Sequence, residues 1–422
     1  MNFFDIDKRI LDASEKAMAL CADKLREIDA IQEYHQIKMI KAFQNAGVRE
    51  SYFAASTGYG YDDFGRDALD RVYAYVFDAE DALVRHNFVS GTHALTVALF
   101  GMLRPGDTML CVTGMPYDTI RSAIGIEGSY PGSLKDFQID FEMTELKPDG
   151  TPDYEQMEKD IAQKQPRMVY IQRSRGYSLR ATLTWREIKK ICDIAKRVSP
   201  KSIIMLDNCY GEFVEKVEPL TVGVDIMAGS LIKNPGGGIA PTGGYIAGKA
   251  GLVEMCAYRL TTPGTGKEIG ATLGVNREMF MGAYHAPHVT GEALKTAVFA
   301  SALFELLGFD TTPKYSDDRG DIIQLIMLGD EKKLISFCGG IQSGSAVDSF
   351  VQPLPSDMPG YESQVIMAAG AFTLGSSIEL SADAPLREPY AVWMQGGLNF
   401  HGGKLGIMLA ADRVLRDMEK KS

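Results

Sequence analysis

Between about residues 68 and 250 the chain alternates short, continuous apolar runs with longer stretches of helical spacing. Segments 109–112, 168–172, 203–206 and 226–231 carry apolar residues at successive positions, the pattern of strands covered on both faces. Segments 94–102, 154–163 and 185–197 read as helices. Neighbouring parallel strands need a crossover of a dozen or more residues, and helices of this length supply one. The alternation therefore predicts an α/β fold, with a mostly parallel central sheet flanked by helices.

A chain of 422 residues exceeds one simple core, and its texture divides it. Residues 1–60 read as an N-terminal helical segment, carried by Ile10, Leu11, Met18, Leu20, Leu25 and Ile28 at near-helical spacing. Residues 61–285 form the expected large domain. In residues 286–422 a helical stretch (291–307) precedes shorter strand-like pieces, a loop rich in Pro and Gly (352–360) and an amphipathic helix (404–418). This predicts a smaller C-terminal α+β domain. The net charge of −11 argues against nucleic acid and against an anionic membrane surface, both of which need clustered basic residues. The longest apolar run, 94–103, is too short to span a membrane. The N-terminal segment lacks the pattern of a signal peptide, and six dispersed cysteines without a C-x-x-C pair read as reduced thiols. A cytoplasmic protein is expected.

Two short motifs are set aside. GGYIAGKA (243–250) has P-loop spacing, but Ala250 stands where a magnesium-binding hydroxyl belongs and Tyr245-Ile246-Ala247 reads as strand. His285 and His288 flank Pro287, which predicts a cap or loop rather than a helical metal site. A different constellation fits more of the chain. SGTHALTVALFG (90–101) places Ser, Gly and Thr before a helical run, where free N–H groups and the helix dipole favour an anion. IIMLDNCYGEF (203–213) ends a strand in Asp207, and ligands of open α/β sheets bind at such carboxyl ends. GSLIKNPGGG (229–238) delivers Lys233 between the end of another strand and three glycines. Each piece alone has an ordinary reading: an N-cap at Ser90 or Thr92, an N-cap at Asp207, a solvated lysine. Together they are the parts needed to hold pyridoxal phosphate (PLP). A lysine binds the aldehyde as an imine, and an acid opposite the pyridine nitrogen keeps the ring electron-poor. Desolvation beside another cation is expected to lower the lysine pKa. The glycines let backbone pass close to the cofactor.

With these residues the chain resembles the fold-type I PLP-dependent enzymes, and within them the cystathionine β/γ-lyase (Cys/Met metabolism) group. It is most similar to the aluminium resistance branch, also described as cystathionine β-lyase-like. The resemblance covers nearly the whole chain and rests on GYGYDDFGRD, SGTHA, QRSRGY, LDNCYGEF, GSLIKNPGGGIAPTGGYIAG, LTTPGTG and IELSADAPLREPY with QGGL. It implies Lys233 as the Schiff-base lysine and Asp207 as the pyridinium partner. It implies phosphate binding by the backbone of Gly91 and Thr92 and by the Ser230 hydroxyl. Tyr117 would stack on the ring and take part in proton transfer. Tyr59 or Tyr61 would be lent by a neighbouring subunit, so that a homodimer or homotetramer shares its active sites.

Three departures bear on the substrate. Ile232 stands where relatives carry Ser or Thr before the lysine, and QRSRGY replaces S-x-N-P, bringing Arg173 and Arg175 toward the site. The C-terminal R-L-S-x-G is missing, with YAVWMQGGL in its region and Arg387 just upstream. An α-carboxylate favours a bidentate guanidinium, so Arg387 and Arg175 are the contenders. The implied activity is that of a PLP-dependent carbon–sulfur lyase acting on a sulfur-containing amino acid. The elimination would be β or γ, as in cystathionine β-lyases and methionine γ-lyases. The departures leave open another PLP reaction such as transamination, or a PLP-binding protein without catalysis.

Overall fold

The computed structural model of the protein describes residues 3–128, 131–357 and 363–419. Part of the expected Pro- and Gly-rich loop at 352–360 lies outside them. The chain separates into two compact units, Tyr34–His285 and Met1–Glu33 with Ala286–Ser422. In chain order the elements are α1 (Lys8–Ala46), α2 (Phe64–Val76), β1 (Asp81–Arg85), α3 (Gly91–Met102), β2 (Thr108–Cys111), α4 (Asp118–Ile124), β3 (Asp140–Met143) and α5 (Tyr154–Lys164). Then come β4 (Met168–Gln172), α6 (Trp185–Val198), β5 (Ile203–Asp207), β6 (Ile226–Ser230), β7 (Gly244–Gly248) and α7 (Ala250–Leu260). The remainder is α8 (Asn276–Leu306), β8 (Asp310–Thr312), β9 (Gln324–Met327), α9 (Glu331–Ser343), β10 (Val365–Ala369), β11 (Ser381–Pro385), β12 (Ala391–Gln395) and α10 (Phe400–Glu419).

The larger unit is built on a seven-stranded sheet of order β1-β7-β6-β5-β4-β2-β3. Strands β2 to β6 pair in parallel, and β7 runs antiparallel to both β6 and β1. The mostly parallel sheet follows the alternation read from the sequence. The exception has a local cause. Segment 231–243, between β6 and β7, contains only a three-residue 3-10 turn, so no crossover helix carries the chain back to the other end of the sheet. It turns at the carboxyl end of β6, and Lys233 lies in that turn.

Strands β4, β5 and β6 are buried at every position, because helices cover both faces. Their register gathers the carboxyl ends on one edge: Gln172 faces Asp207, Asp207 faces Ala228, and Ser230 follows two residues later. Helix ends are set by short polar side chains. The Asp153 carboxylate accepts from the Gln156 N–H at 3.1 Å, and Glu187 accepts from the Thr184 N–H at 2.9 Å.

The expectation for His285 and His288 needs correction. Both lie within α8, which runs through Pro287. A proline in a helix interior costs about 3 kcal/mol. Here Phe280 and Ala283 before it, and Val289 and Ala293 after it, are buried, and that burial outweighs the local cost. In the smaller unit an antiparallel sheet of order β10-β11-β12-β9-β8 accompanies α9 and α10. The two helices approach so closely that a Cβ on Gly340 would lie 2.3 Å from the Ala410 Cα.

Candidate active site

The site is assembled at the carboxyl edge of the larger sheet. Helix α3 begins at Gly91, three residues before the helical stretch read from the sequence, so the SGTHA turn is its first turn. Ser90 is the N-cap, its hydroxyl accepting from the His93 N–H at 3.1 Å. The N–H groups of Gly91 and Thr92 precede any acceptor within the helix. A Cβ at Gly91 would lie 3.1 Å from the Ser230 Cβ and 3.4 Å from the Cys209 Sγ. The glycine therefore lets the positive end of α3 reach the end of β6 and the loop leaving β5. Ser230 is buried, and its hydroxyl accepts from the Ile232 N–H at 3.3 Å, which leaves its own proton to donate. The side chain of Ile232 is apolar, and it is the backbone N–H of this residue that meets Ser230.

Asp207 closes β5. Its Oδ1 accepts from the Cys209 N–H at 3.1 Å, and burial raises its pKa against the opposing pull of Lys233. Lys233 is partly buried, with Nζ 3.9 Å from the centre of the Tyr210 ring. Tyr210 and Phe213 hold left-handed backbone, with φ of 71° and 62°, a conformation that costs energy for non-glycine residues and persists only when neighbours impose it. Two staples impose it here. Asn234 donates from Nδ2 to the carbonyls of Tyr210 (2.9 Å) and Glu212 (3.0 Å), tying the residue after Lys233 to this loop. Arg173 donates to Asn208 Oδ1 at 2.8 Å and to the Gly211 carbonyl at 2.9 Å, and pairs with Glu215 at 2.7 Å. The glycine after the lysine is equally constrained: a Cβ on Gly236 would fall 1.7 Å from the Leu231 carbonyl oxygen.

The lysine's protonation differs from expectation. Burial lowers the Lys233 pKa, but the acidic groups of Cys209, Tyr210, Asp207 and Glu212 together raise it above the usual lysine range. The protein alone thus holds an ammonium, because the charges facing Lys233 are acids rather than a second cation.

Tyr117 caps α4, and its N–H donates to Gln172 Oε1 at 2.7 Å, which anchors it to the end of β4. Arg175 is fully buried in the segment after β4. Arg173, which the sequence brings toward the site, is engaged by the loop after β5. Tyr59 and Tyr61 are 69% and 62% exposed and stack on each other with ring centres 5.3 Å apart. Arg387 is exposed after β11 in the smaller unit. Gly91, Asp207, Ser230 and Lys233 are thus brought together, with Thr92 beside Gly91. Tyr59 and Tyr61 lie on the surface of the same unit.

Three groups escaped the sequence reading. Gln172 positions Tyr117, and Glu212 and Tyr245 lie buried near Lys233. Glu212 could have been noticed as an acid between apolar neighbours in LDNCYGEF. Tyr245 gave no signal, because a tyrosine in a strand is ordinary.

These residues fit PLP: a helix terminus and a hydroxyl for its phosphate, an acid for its ring nitrogen, and a lysine for its aldehyde. The methionine gamma-lyase family model matches residues 10–415. The chain is similar to a crystal structure from Clostridium novyi, described as a carbon-sulfur lyase involved in aluminum resistance. That likeness has 52% identity and a TM-score of 0.93, covering 97% of this chain and 96% of that one. It is also similar to a Listeria monocytogenes structure provisionally named a cystathionine beta-lyase involved in aluminum resistance. There the identity is 47% and the TM-score 0.94, over 96% of this chain and 100% of that one. The pyridoxal-5'-phosphate dependent protein YhfS of Escherichia coli, at 15% identity, gives a TM-score of 0.62 over 94% of this chain and 97% of its own, a likeness of fold. A match spanning nearly every residue, joined to a lysine, an acid and a helix terminus at one sheet edge, makes this chain a member of the methionine gamma-lyase family.

Proposed function

We propose that the protein is a PLP-dependent carbon–sulfur lyase that removes a thiol from a sulfur-containing amino acid by β- or γ-elimination. The observation that carries this reading is the convergence of the α3 N-terminus, Ser230, Asp207 and Lys233 in a chain of this family. When bound, PLP supplies an electron-poor ring that stabilises the charge left on the substrate α-carbon. The chain's own groups do the rest. The Gly91 and Thr92 N–H groups and the Ser230 hydroxyl bind phosphate. Asp207 would pair with the ring nitrogen, and its desolvated surroundings would strengthen that pairing. Lys233 would hold the cofactor and move the α-proton, and Tyr117 would stack on the ring and assist that transfer. Arg175 and Arg387 are the two candidates for the substrate carboxylate.

The finer features belong to the same proposal. The exposed Tyr59–Tyr61 pair suits a site completed by a second subunit in a homodimer or homotetramer. Among the described residues no helix is long and apolar enough to cross a membrane, and a cytoplasmic location is part of the same proposal.

A panel of L-cystathionine, L-methionine and L-cysteine tests the reaction. Release of a thiol and a 2-oxo acid is expected from at least one of them. Turnover only with an added amino-group acceptor would replace elimination by transamination. Spectral change without any product would leave a binding protein. Mixing Lys233→Ala with a Tyr59/Tyr61 double variant tests the shared site, since restored activity is expected in mixed oligomers and its absence there would refute sharing.

A further inference from the structure

Glu212 is 0% exposed and lies five residues beyond Asp207, in the strained loop that holds Tyr210 over Lys233. Its Oε1 accepts a hydrogen bond from the Tyr245 hydroxyl at 2.8 Å. The Tyr245 hydroxyl is itself approached by Asn208 Nδ2 at 3.3 Å, and burial pushes its pKa well up, so the phenol keeps its proton and acts as donor. The other carboxyl oxygen, Oε2, has no hydrogen-bond partner among the described residues.

The fold makes room for this carboxyl. Gly229 pairs with Tyr245 across β6 and β7, and a Cβ there would lie 2.5 Å from Glu212 Oε1 and 2.6 Å from the Tyr245 ring. The missing side chain four residues before Lys233 thus admits an acid under the end of the lysine's own strand. A carboxyl kept only for packing would have both oxygens satisfied, since buried polar atoms nearly always are. Here Oε2 has no such partner among the described residues, and Lys233 is among the charges acting on the carboxyl.

We propose that Glu212, held in place by Tyr245, is the counter-charge that sets the protonation state of Lys233, and so a positioning residue for the lysine rather than one that touches substrate. The inference deepens the reading above and rests on it only for the role given to Lys233. Asp207 faces the same lysine, but it is unchanged in a Glu212 variant, so a difference between variant and wild type reports the charge of Glu212.

The groups that face Glu212 come from several elements. Lys233 and Arg173 are cations, Tyr245 on β7 is a donor, and Tyr73 on α2, Cys209 and Glu218 are acidic groups within electrostatic reach. Burial lifts Glu212 to about 7, against the pull of its own backbone N–H, the Tyr245 hydrogen bond and the two cations. Below that range Glu212 is neutral and has little hold on Lys233. Above it the carboxylate stabilises the ammonium and suppresses the free amine.

The test is trace acetylation of Lys233 in the full cofactor-free chain, read by peptide mass spectrometry across pH for wild type, Glu212→Gln and Glu212→Asp. An opposite charge at close range moves a pKa by about one unit or more, which is roughly tenfold in free amine. Glu212→Gln is therefore expected to label at the wild-type rate well below pH 7 and roughly tenfold faster well above it, whereas Glu212→Asp follows wild type. A Gln-to-wild-type ratio that stays constant across pH, or an Asp variant that behaves like Gln, overturns the proposal. Should Glu212→Gln fail to fold by circular dichroism, Tyr245→Phe carries the same measurement, because loss of its hydrogen bond raises the Glu212 pKa. The labelling step needs no PLP. A wild type that never captures PLP would sink the cofactor reading and leave this result standing.

Discussion

Replacing Arg173 by Met should destabilise the larger unit and loosen the cofactor site together. The guanidinium is 1% exposed, and its partner Glu215 is 13% exposed at 2.7 Å. It also donates to Asn208 Oδ1 at 2.8 Å, to the Gly211 carbonyl at 2.9 Å and to the Leu183 carbonyl at 3.3 Å. Met conserves much of the volume but leaves a buried carboxylate without its cation, which costs about 3–5 kcal/mol. For a unit of this size that corresponds to a Tm lowered by roughly 6–20 °C. The loop Asn208–Phe213 loses its staple, so PLP affinity should fall as well. Arg173→Lys keeps the charge without the planar fork and should lie between the two. Glu215 adds a pH signature. Burial raises its pKa and Arg173 pulls it down, so removing the arginine lets it rise further. An acid with a raised folded pKa binds its proton more tightly in the folded state, and stability is lost as pH climbs through that window. The deficit of Arg173→Met should therefore grow with pH. Calorimetry at several pH values and a PLP titration measure all three effects. An Arg173→Met protein with wild-type Tm and PLP affinity but a raised KM would refute this reasoning, because Arg173 would then be a ligand of substrate rather than a staple.

Gly91→Ala should weaken PLP binding roughly tenfold, since its Cβ at 3.1 Å from the Ser230 Cβ is an overpacked contact costing about 1–3 kcal/mol unless α3 withdraws; equal PLP affinity in a fluorescence titration would contradict the cradle. His35 and Glu218 are buried with Nδ1 and Oε1 3.8 Å apart, and burial lowers the histidine to about 4 and raises the glutamate to about 8. The histidine contribution is complete above its unfolded value of 6.5, so the fall in Tm between about pH 6.5 and 8 should come from Glu218 losing its proton. Glu218→Gln should flatten that fall, as thermal denaturation across pH would reveal. Gly236→Ala should prevent a folded larger unit, because no shift of a side chain relieves a Cβ placed 1.7 Å from a backbone oxygen, and a soluble variant with wild-type circular dichroism would show otherwise.

The parts of this molecule that sequence made legible are those governed by local pattern. Strand β4 coincides with its predicted segment, and β5 and β6 differ from theirs by one residue. Their continuous burial leaves an unbroken apolar run in the sequence. The positions of Asp207 and Lys233 at strand ends were legible because strand ends followed by turns are marked by composition, whereas Ser230 entered only through the family resemblance. Helix α8 was misjudged because a proline's local cost is visible in sequence while the burial that overrides it is not. The partners of Arg173 were hidden for a related reason. Its two companions, Asn208 and Glu215, lie 35 and 42 residues away, and only the parallel pairing of β4 with β5 brings them within reach. The same holds for Glu212 and Tyr245, which meet because Gly229 is opposite Tyr245 in the β6–β7 register. The protonation of Lys233 could not be read from its neighbours in sequence. It depends on which charges face it across the sheet edge, and these are acids.

The central claim is that Lys233 binds PLP, and one measurement addresses it directly. The purified full chain is incubated with PLP, reduced with borohydride to fix any imine, digested and mapped by mass spectrometry. A single PLP-derived adduct on the peptide containing Lys233 is the predicted result, with none on that peptide in Lys233→Ala. A folded wild-type protein that carries the adduct on another lysine, or carries none, would contradict the account.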